Sequence, residues 1–307
     1  MKYSLSTFRK PEILHSYING NTKVTIYDDG TKIRETEDED FYPVFPENID
    51  VKITDSCEWG CPFCHENSTP NGNHGNVFHE FFDSLQAGTE LAIGGGNIFN
   101  HPDIEIFLQS LKNKNIIANI TVNQRDFSIK ERFDNINRWI NEKLIYGVGI
   151  SWDGTDVEHI FNNISNKENV VLHTIAGIHD LSLLKNTKEK KILILGYKNI
   201  RRGLTYNLKN KILDKISIIK KDLPNIIENF KVVSFDNLAL EQLDVKSFIS
   251  EEDWNNYYMG DDGSHTMYID LPNNQFASSS TSPIRYDLTF EKDIKNIFKT
   301  ILNEIKR

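Results

Sequence analysis

From residue 48 onward the sequence alternates short β-branched runs with amphipathic helical patterns, and this alternation limits the fold class more than any other feature. The β-rich runs are residues 49–54, 91–93, 116–122, 145–150, 170–175 and 192–195. Repeated strand–helix units predict a parallel sheet covered by helices, which is an α/β fold. Periodicity alone fits both an open doubly wound sheet and a partial barrel.

Helical faces separate most of these runs. Their apolar residues are Phe78, Phe81, Phe82 and Leu85 in the first, Ile104, Phe107, Leu108 and Leu111 in the second, and Phe133, Ile136, Trp139 and Ile140 in the third. A long helical stretch near residues 208–230 contains Pro224, which predicts a kink or a division there. Residues 232–235 and 266–269 predict two more strands. The chain ends in a predicted amphipathic helix with the apolar face Phe290, Ile294, Ile297, Phe298, Ile301, Leu302 and Ile305.

The N-terminal segment differs in pattern from the rest of the chain. Residues 16–20 and 23–27, followed by the turn-forming Asp28, Asp29 and Gly30, predict a β-hairpin, and the acidic residues 35–40 predict a solvated linker. We therefore predict an N-terminal β extension and linker over 1–47, the α/β unit over 48–235, and a C-terminal cap with the amphipathic helix over 236–307.

Composition excludes several functional classes. Among 307 residues the net charge is −9, which argues against an extended nucleic-acid surface, because such surfaces are basic. The first twenty residues contain no apolar segment of the kind that secretory signals carry, and no apolar run is long enough to span a bilayer. The sequence thus predicts a soluble, cytoplasmic protein without a membrane partner.

The three cysteines lie within eight residues, as Cys57-x3-Cys61-x2-Cys64, directly after the first predicted strand. Thiolates are the usual ligands of iron–sulfur clusters, and three of them leave one iron open for chemistry. The alternative is a zinc site that adds His65. However, Cys64 and His65 are adjacent, and structural zinc sites usually draw on two separated ligand pairs.

This motif, with the aromatic Phe63 before the last cysteine, resembles the signature of the radical S-adenosylmethionine (SAM) superfamily. The resemblance spans about residues 48–200. It implies a partial (β/α)6 TIM-like barrel, a [4Fe–4S] cluster bound by Cys57, Cys61 and Cys64, and SAM chelated to the fourth iron. It also implies oxygen sensitivity and a low-potential electron donor such as flavodoxin or ferredoxin. In that family, reductive cleavage of SAM gives a 5′-deoxyadenosyl radical that abstracts hydrogen from the substrate.

A glycine run lies directly after the second predicted strand. Gly94, Gly95 and Gly96 resemble the family's "GGE" motif, whose backbone meets the methionine amino group of SAM, although Gly96 stands where the motif often has Glu. Glycines there let a ligand approach the backbone, and a tight strand-to-helix turn is the alternative explanation. With Phe63, these glycines are candidate cofactor-binding residues.

Polar residues end later strands, and strand carboxyl ends line the active sites of (β/α) barrels. Asn123 and Ser151 are therefore candidate cofactor-binding residues, while Asp153 and Lys198 are candidate catalytic residues. The Ser-x-Asp-Gly pattern at Ser151 resembles that of peptide-modifying members. Helix capping is the alternative role for Asn123, Ser151 and Asp153, and an exposed surface position is the alternative for Lys198.

Residues 257–285 predict a loop, a strand, a turn at Pro272 and a second strand, so that a β-hairpin caps the fold. The layout resembles the SPASM or twitch extension of related enzymes, but serines stand where those extensions have cysteines. No auxiliary cluster is therefore expected. Further candidate catalytic residues here are Asp261, Asp262, His265 and Arg285, and the alternative is a polar surface hairpin.

The sequence therefore predicts a radical SAM enzyme that abstracts hydrogen from a peptide or protein side chain. One alternative is a radical SAM enzyme that acts on a small metabolite or a nucleotide. The other is a non-catalytic iron–sulfur or zinc-binding regulatory module.

Overall fold

A computed structural model describes residues 10–306, which form a ten-stranded sheet with helices and a separate three-stranded sheet. Residues 1–9 lie outside the described residues. They belong to the predicted N-terminal extension and to the first twenty residues, for which we predict no secretory signal. The helices are α1 (Ile104–Asn113), α2 (Lys130–Asn141), α3 (Glu158–Asn163), α4 (Arg202–Asn210), α5 (Ile212–Asn229), α6 (Asn237–Leu243), α7 (Glu251–Tyr257) and α8 (Ile294–Ile305).

The large sheet begins at residue 48, where the sequence predicts the α/β unit. Its strands are β4 (Asn48–Thr54), β5 (Glu90–Gly95), β6 (Ile117–Asn123), β7 (Gly147–Ser151), β8 (Val170–Ile175), β9 (Lys191–Leu195), β10 (Val232–Phe235), β11 (Thr266–Asp270), β12 (Gln275–Ala277) and β13 (Tyr286–Asp287). The order is β10-β9-β8-β7-β6-β5-β4-β11-β12-β13, and β4 to β10 are parallel. The predicted α/β class is confirmed, whereas closure into a partial barrel stays a prediction.

One face of the sheet is apolar, and the other is polar over β11, β4, β6 and β7 and apolar at β9, where Leu193 aligns with His173. In β4 the alternate residues Ile49, Val51 and Ile53 are buried in the main hydrophobic core. The residues between them point the other way, because successive strand residues face opposite sides. Strand register aligns these with polar residues of neighbouring strands. We call the set the polar face: Asp50, Lys52, Thr54, Asn119, Thr121, Asn123, Ser151, His173, Tyr268 and Asp270.

The N-terminal extension is a three-stranded antiparallel sheet rather than the predicted hairpin. It consists of β1 (Ile13–Asn19), β2 (Thr22–Tyr27) and β3 (Lys32–Glu35). The third strand was missed because its polar sequence, Lys-Ile-Arg-Glu, has a single apolar residue to mark it. Tyr17, Val24, Ile26 and Phe45 form a second small core with Ile117 of β6.

The C-terminal hairpin exists as β11 and β12, but it is not a cap laid over the sheet. Strand β11 pairs in parallel with β4, and β12 and β13 continue the same sheet. Met267 and Ile269 of β11 are buried in the main core. The prediction of a separate cap was wrong on this point because sequence periodicity does not reveal which strand a hairpin joins. The division at residue 236 stays a prediction.

Three predicted helical features differ in the structure. The pattern at Phe78 to Leu85 forms only a short 3-10 helix, Glu80–Ser84, and Phe78 is 51% exposed. The long helical stretch divides at Lys211, whose φ is 52°, and α5 continues through Pro224. Phe290 precedes α8 and is 86% exposed. In the described part of the chain, no helix has both the length and the apolar character needed to cross a membrane.

Candidate functional site

The three cysteines occupy a loop directly after β4, at the carboxyl end of the parallel strands. The loop turns back beside its own strand: the amide of Cys57 donates to the Thr69 carbonyl at 2.8 Å, and the amide of Thr69 donates to the Asp55 carbonyl at 3.1 Å. Within the loop the Cys64 amide donates to the Cys61 carbonyl at 3.2 Å. All three thiols are free and half-buried, so they are available as ligands.

The sulfur of Cys61 has two polar neighbours. Arg125 Nη2 lies 3.3 Å from it and Asn123 Nδ2 lies 3.8 Å from it. Burial raises the pKa of the Cys57 and Cys61 thiols, while the Arg125 charge opposes that rise at Cys61. A bound metal would favour the thiolate instead, because thiolates are the ligating form.

Within residues 10–306, no three His, Cys, Asp or Glu side chains are arranged as a site for a metal ion. The cysteine loop nevertheless offers the donor set that iron–sulfur clusters use, and a four-iron cluster holds its thiolates further apart than a single ion does. His65 is engaged elsewhere: its Nε2 lies 3.2 Å from Lys198 Nζ and 3.1 Å from Glu66 Oε1. This arrangement counts against the zinc alternative that adds His65.

The predicted glycine run ends β5 beside β4, next to the cysteine loop. Gly95 has φ 110°, and a Cβ atom on it would lie 2.7 Å from the Thr54 carbonyl oxygen. A Cβ atom on Gly96 would lie 2.3 Å from the Ser56 carbonyl oxygen. Because Gly95 and Gly96 have no side chain, the turn can contact the backbone around the cysteine loop. This agrees with the alternative explanation of the glycine run, a tight strand-to-helix turn.

Gly94 differs from the other two glycines. Apart from its two chain neighbours, the nearest atom to a Cβ placed on it is the Thr121 Cβ at 3.9 Å, so no side chain of residues 10–306 occupies that space. This is the position in the glycine run where a ligand could approach the backbone.

The other predicted cofactor-binding residues are at strand ends with distinct partners. Asn123 is a cap: its Oδ1 accepts from the Arg125 amide at 3.0 Å in a capping box that precedes a 3-10 helix. Ser151 is half-buried on the polar face and pairs in register with His173 of β8. Phe63 contacts Tyr206 edge-on, with ring centroids 5.6 Å apart.

Lys198 joins the cysteine loop to the C-terminal segment. Its Nζ donates to Ser280 Oγ at 2.8 Å and lies near His65. Arg285 donates to the Ser280 carbonyl at 2.7 Å, and its guanidinium stacks over Tyr268 at 5.1 Å. The structure thus brings two predicted catalytic candidates, Lys198 and Arg285, to one site with the residue directly after Cys64.

The remaining candidates lie elsewhere. His265 is buried before the first residue of β11, at the amino end of the sheet, with its Nδ1 3.5 Å from Glu47 Oε1. The cysteine loop follows the carboxyl end, so His265 is not brought to it. Asp261 and Asp153 are exposed. Asp262 Oδ1 accepts a hydrogen bond from Asn237 Nδ2 at 2.7 Å, and Asp153 Oδ1 accepts one from the Thr155 amide.

Besides Arg125, sequence analysis missed three polar groups near this site. Lys52 is buried and pairs with Asp55 at 2.6 Å, Glu66 at 3.0 Å and Asp270 at 3.3 Å. Its signal was a charged residue that alternates with the apolar residues of the first predicted strand, as Asp50 also does. Asp50 and His173 also lie on the polar face: burial raises the pKa of Asp50 to about 6, against the charge of Lys198, and lowers the pKa of His173 to about 4.

A cavity of about 290 Å³ opens beside the cysteine loop. Residues that line it include Lys52, Asp55, Glu66, Asn67, Arg201 and Asn273. Charge of both signs therefore surrounds the space next to the cysteines.

Comparison with known proteins rests on structure alone. No protein-family model matches the chain, and no curated protein matches it in sequence. The structure of Streptococcus suis SuiB bound to S-adenosylmethionine is similar, with a TM-score of 0.62 and 12% identity over 94% of this chain and 88% of that one. SuiB bound to the precursor peptide SuiA gives a TM-score of 0.55 and 15% identity, over 83% of this chain and 65% of that one, slightly under two thirds.

These similarities establish a shared fold. SuiB is a radical SAM enzyme, so the resemblance that the cysteine motif indicated is confirmed as structural similarity to radical SAM enzymes.

Proposed function

We propose that this protein is a radical SAM enzyme. The observation that carries the proposal is the pairing of two features at one edge of the sheet. Cys57, Cys61 and Cys64 come after β4, and the glycine run with its open position at Gly94 ends the neighbouring strand. The fold that holds them is similar to that of SuiB bound to SAM. Six parallel strands in chain order, β4 to β9, also support the predicted partial (β/α)6 barrel.

The three cysteines would hold a [4Fe–4S] cluster, with SAM next to it over Gly94. When bound, the reduced cluster would supply one electron for cleavage of the sulfonium C–S bond of SAM, and hydrogen abstraction from the substrate would follow. The electron would come from a low-potential donor such as flavodoxin or ferredoxin. The chain's own residues would hold the cluster and shield it. The half-buried loop limits water at the sulfurs, and Arg125 Nη2 donates a hydrogen bond to Cys61 Sγ.

The substrate that we propose is a peptide or protein side chain. The similar fold of SuiB bound to its precursor peptide SuiA supports this class. So does the polar face, where amide, hydroxyl, imidazole and carboxylate groups lie along neighbouring strands and could bind peptide groups. Lys198 and Arg285 would orient the substrate beside the cysteine loop, since both lie where the C-terminal segment meets it.

Anaerobic reconstitution with iron and sulfide tests the cluster assignment. Wild type should gain about four irons and four sulfides per chain, as cluster stoichiometry requires. Cys57→Ala, Cys61→Ala and Cys64→Ala should each lose most of the charge-transfer absorption while they keep the far-UV circular dichroism of the wild type. His65→Ala is the matched control and should keep the cluster. Full cluster content in any one cysteine variant would remove that residue from the ligand set.

A further inference from the structure

The guanidinium of Arg125 is held in one orientation by three contacts. Its Nη1 donates to the Trp59 carbonyl at 3.2 Å, its Nε donates to Asn123 Oδ1 at 3.1 Å, and its plane lies over the Trp59 ring at 5.0 Å. With these donors used, Nη2 remains directed at Cys61 Sγ, 3.3 Å away. A planar guanidinium with a fixed fork cannot rotate this donor away without breaking the other contacts.

The residues that hold Arg125 are themselves fixed. Asn123 and Asp126 form a capping box at the carboxyl end of β6, so the backbone at Arg125 is held in place. The indole nitrogen of Trp59 donates to Asp126 Oδ1 at 3.2 Å, and Asp126 is buried. The Trp59 ring and the Asn123 side chain, which hold the guanidinium, therefore belong to one connected set of hydrogen bonds.

A charged donor at a cluster thiolate has a predictable electronic effect. Hydrogen bonds to the sulfurs and nearby charge are among the factors that set the reduction potential of an iron–sulfur cluster. The reduced cluster carries one more negative charge than the oxidised one, so a guanidinium stabilises it more. Charge-assisted hydrogen bonds are also stronger than neutral ones.

We propose that Arg125 is a positioning residue that raises the reduction potential of the cluster through its hydrogen bond to Cys61. The inference rests on the proposed function, because it needs a cluster at Cys57, Cys61 and Cys64. It assigns a task to a residue outside the cysteine motif and the glycine run. The cluster of the wild type then accepts its electron more readily than it would without Arg125.

Arg201 provides the matched comparison. Its Nη1 donates to the backbone carbonyls of His65 at 3.0 Å and Glu66 at 3.2 Å, so it ties down the same loop with a guanidinium. Its contacts are with the backbone and with the Glu66 carboxylate at 3.6 Å, not with a sulfur. Arg201→Met therefore removes the same charge from the loop without removing a donor to a thiolate.

The experiment is a spectroelectrochemical titration of the reconstituted cluster in the absence of SAM. Arg125→Met should shift the midpoint potential to a more negative value by at least about 60 mV, which is a tenfold change in a one-electron equilibrium. Arg201→Met should shift it by less than half as much. A shift in Arg125→Met that is equal to or smaller than the shift in Arg201→Met would overturn the proposal.

Two further outcomes are decisive. If Arg125→Met holds no cluster, Arg125→Gln takes its place, because it removes the charge and keeps a polar side chain: a midpoint below that of the wild type supports the proposal, and an unchanged midpoint overturns it. If Arg125→Gln also holds no cluster, Arg125 is a structural residue and the proposal fails. A wild type that binds no cluster refutes the proposed function itself, so the two failures are distinguishable.

Discussion

Ser280, in the loop after β12, accepts a hydrogen bond from Lys198, with 2.8 Å between its Oγ and the lysine Nζ. The same Nζ lies 3.2 Å from Nε2 of His65, next to Cys64. Burial lowers the pKa of His65, and the Lys198 charge adds to that effect, while the Glu66 carboxylate opposes it. One side chain therefore links the C-terminal segment to the cysteine loop.

Lys198→Met should loosen the loop after β12 without unfolding the sheet. Loss of a charged donor to Ser280 should lower the local opening free energy by about 1 kcal/mol, so that amides at 279–282 exchange roughly fivefold faster. Hydrogen exchange measured by mass spectrometry checks this. Lys215→Met, on the exposed side of α5, is the control. Unchanged exchange at 279–282 would mean that the lysine does not hold the loop.

Deletion is not a usable test of this segment. Removing residues 261–282 would remove β11 and β12, and β11 is the parallel neighbour of the strand that leads into the cysteine loop. Point variants are therefore required.

Gly94→Val should weaken SAM binding at least about tenfold while cluster content stays at the wild-type level. A β-branched residue suits a strand. Among the described residues, apart from its two chain neighbours, the nearest atom to the new Cβ is the Thr121 Cβ at 3.9 Å, so the added side chain enters the space proposed for SAM. Calorimetry on the reconstituted protein measures the affinity. Wild-type affinity in this variant would return the whole glycine run to a structural role.

Gly95→Ala should behave differently from Gly94→Val. The backbone at Gly95 has φ 110°, and a Cβ there would lie 2.7 Å from the Thr54 carbonyl oxygen. We expect a loss of about 1–3 kcal/mol in the free energy of unfolding, measured with urea on the protein without cluster or SAM. A variant as stable as the wild type would contradict the assigned strain.

Lys52→Met should destabilise the fold strongly. Lys52 has a side-chain exposure of 3% and pairs with three carboxylates, which would lose their common partner. Breaking a buried ion pair from one side costs about 3–5 kcal/mol, because the remaining charge is left uncompensated. Urea unfolding measures the change. Lys23→Met is the control, since its pair with Glu35 is exposed and should contribute less than about 1 kcal/mol.

His173 should make stability depend on pH. Burial lowers its pKa from 6.5 to about 4. Between these values the unfolded chain binds more protons than the folded one, so the contribution of His173 to stability is lost as pH falls from 6.5 towards 4. The stability advantage of the wild type over His173→Gln should therefore shrink across this window. His159→Gln, at an exposed position in α3, should keep the wild-type slope, and parallel curves for His173→Gln would contradict the assignment.

The sequence predicted the parallel strands β4 to β10 because each contains a short run or an alternation of apolar residues, many of them β-branched. The 170–175 run, for example, is the strand β8 in the structure. The three-cysteine loop was equally clear, since its spacing is local to eight residues. What periodicity could not supply is long-range pairing, so the placement of β11 beside β4 was not foreseen.

The same limit applies to the candidate site. Lys198 and Arg285 were predicted from their positions near strand ends and in the hairpin, and the structure brings them together. His265 was grouped with them because it lies in the same segment of the sequence. In the structure it precedes β11 at the amino end of the sheet, whereas the cysteine loop follows the carboxyl end. Arg125 was not predicted at all, because its importance depends on a contact with Cys61 across 64 positions of the chain.

The production of 5′-deoxyadenosine tests the central claim most directly. Anaerobically reconstituted protein is incubated with SAM and a low-potential reductant, and the products are measured by mass spectrometry, with the Cys61→Ala variant as the matched control. The account predicts 5′-deoxyadenosine and methionine in equal amounts from the wild type and neither from the variant. A fully loaded wild type that leaves SAM intact would contradict it.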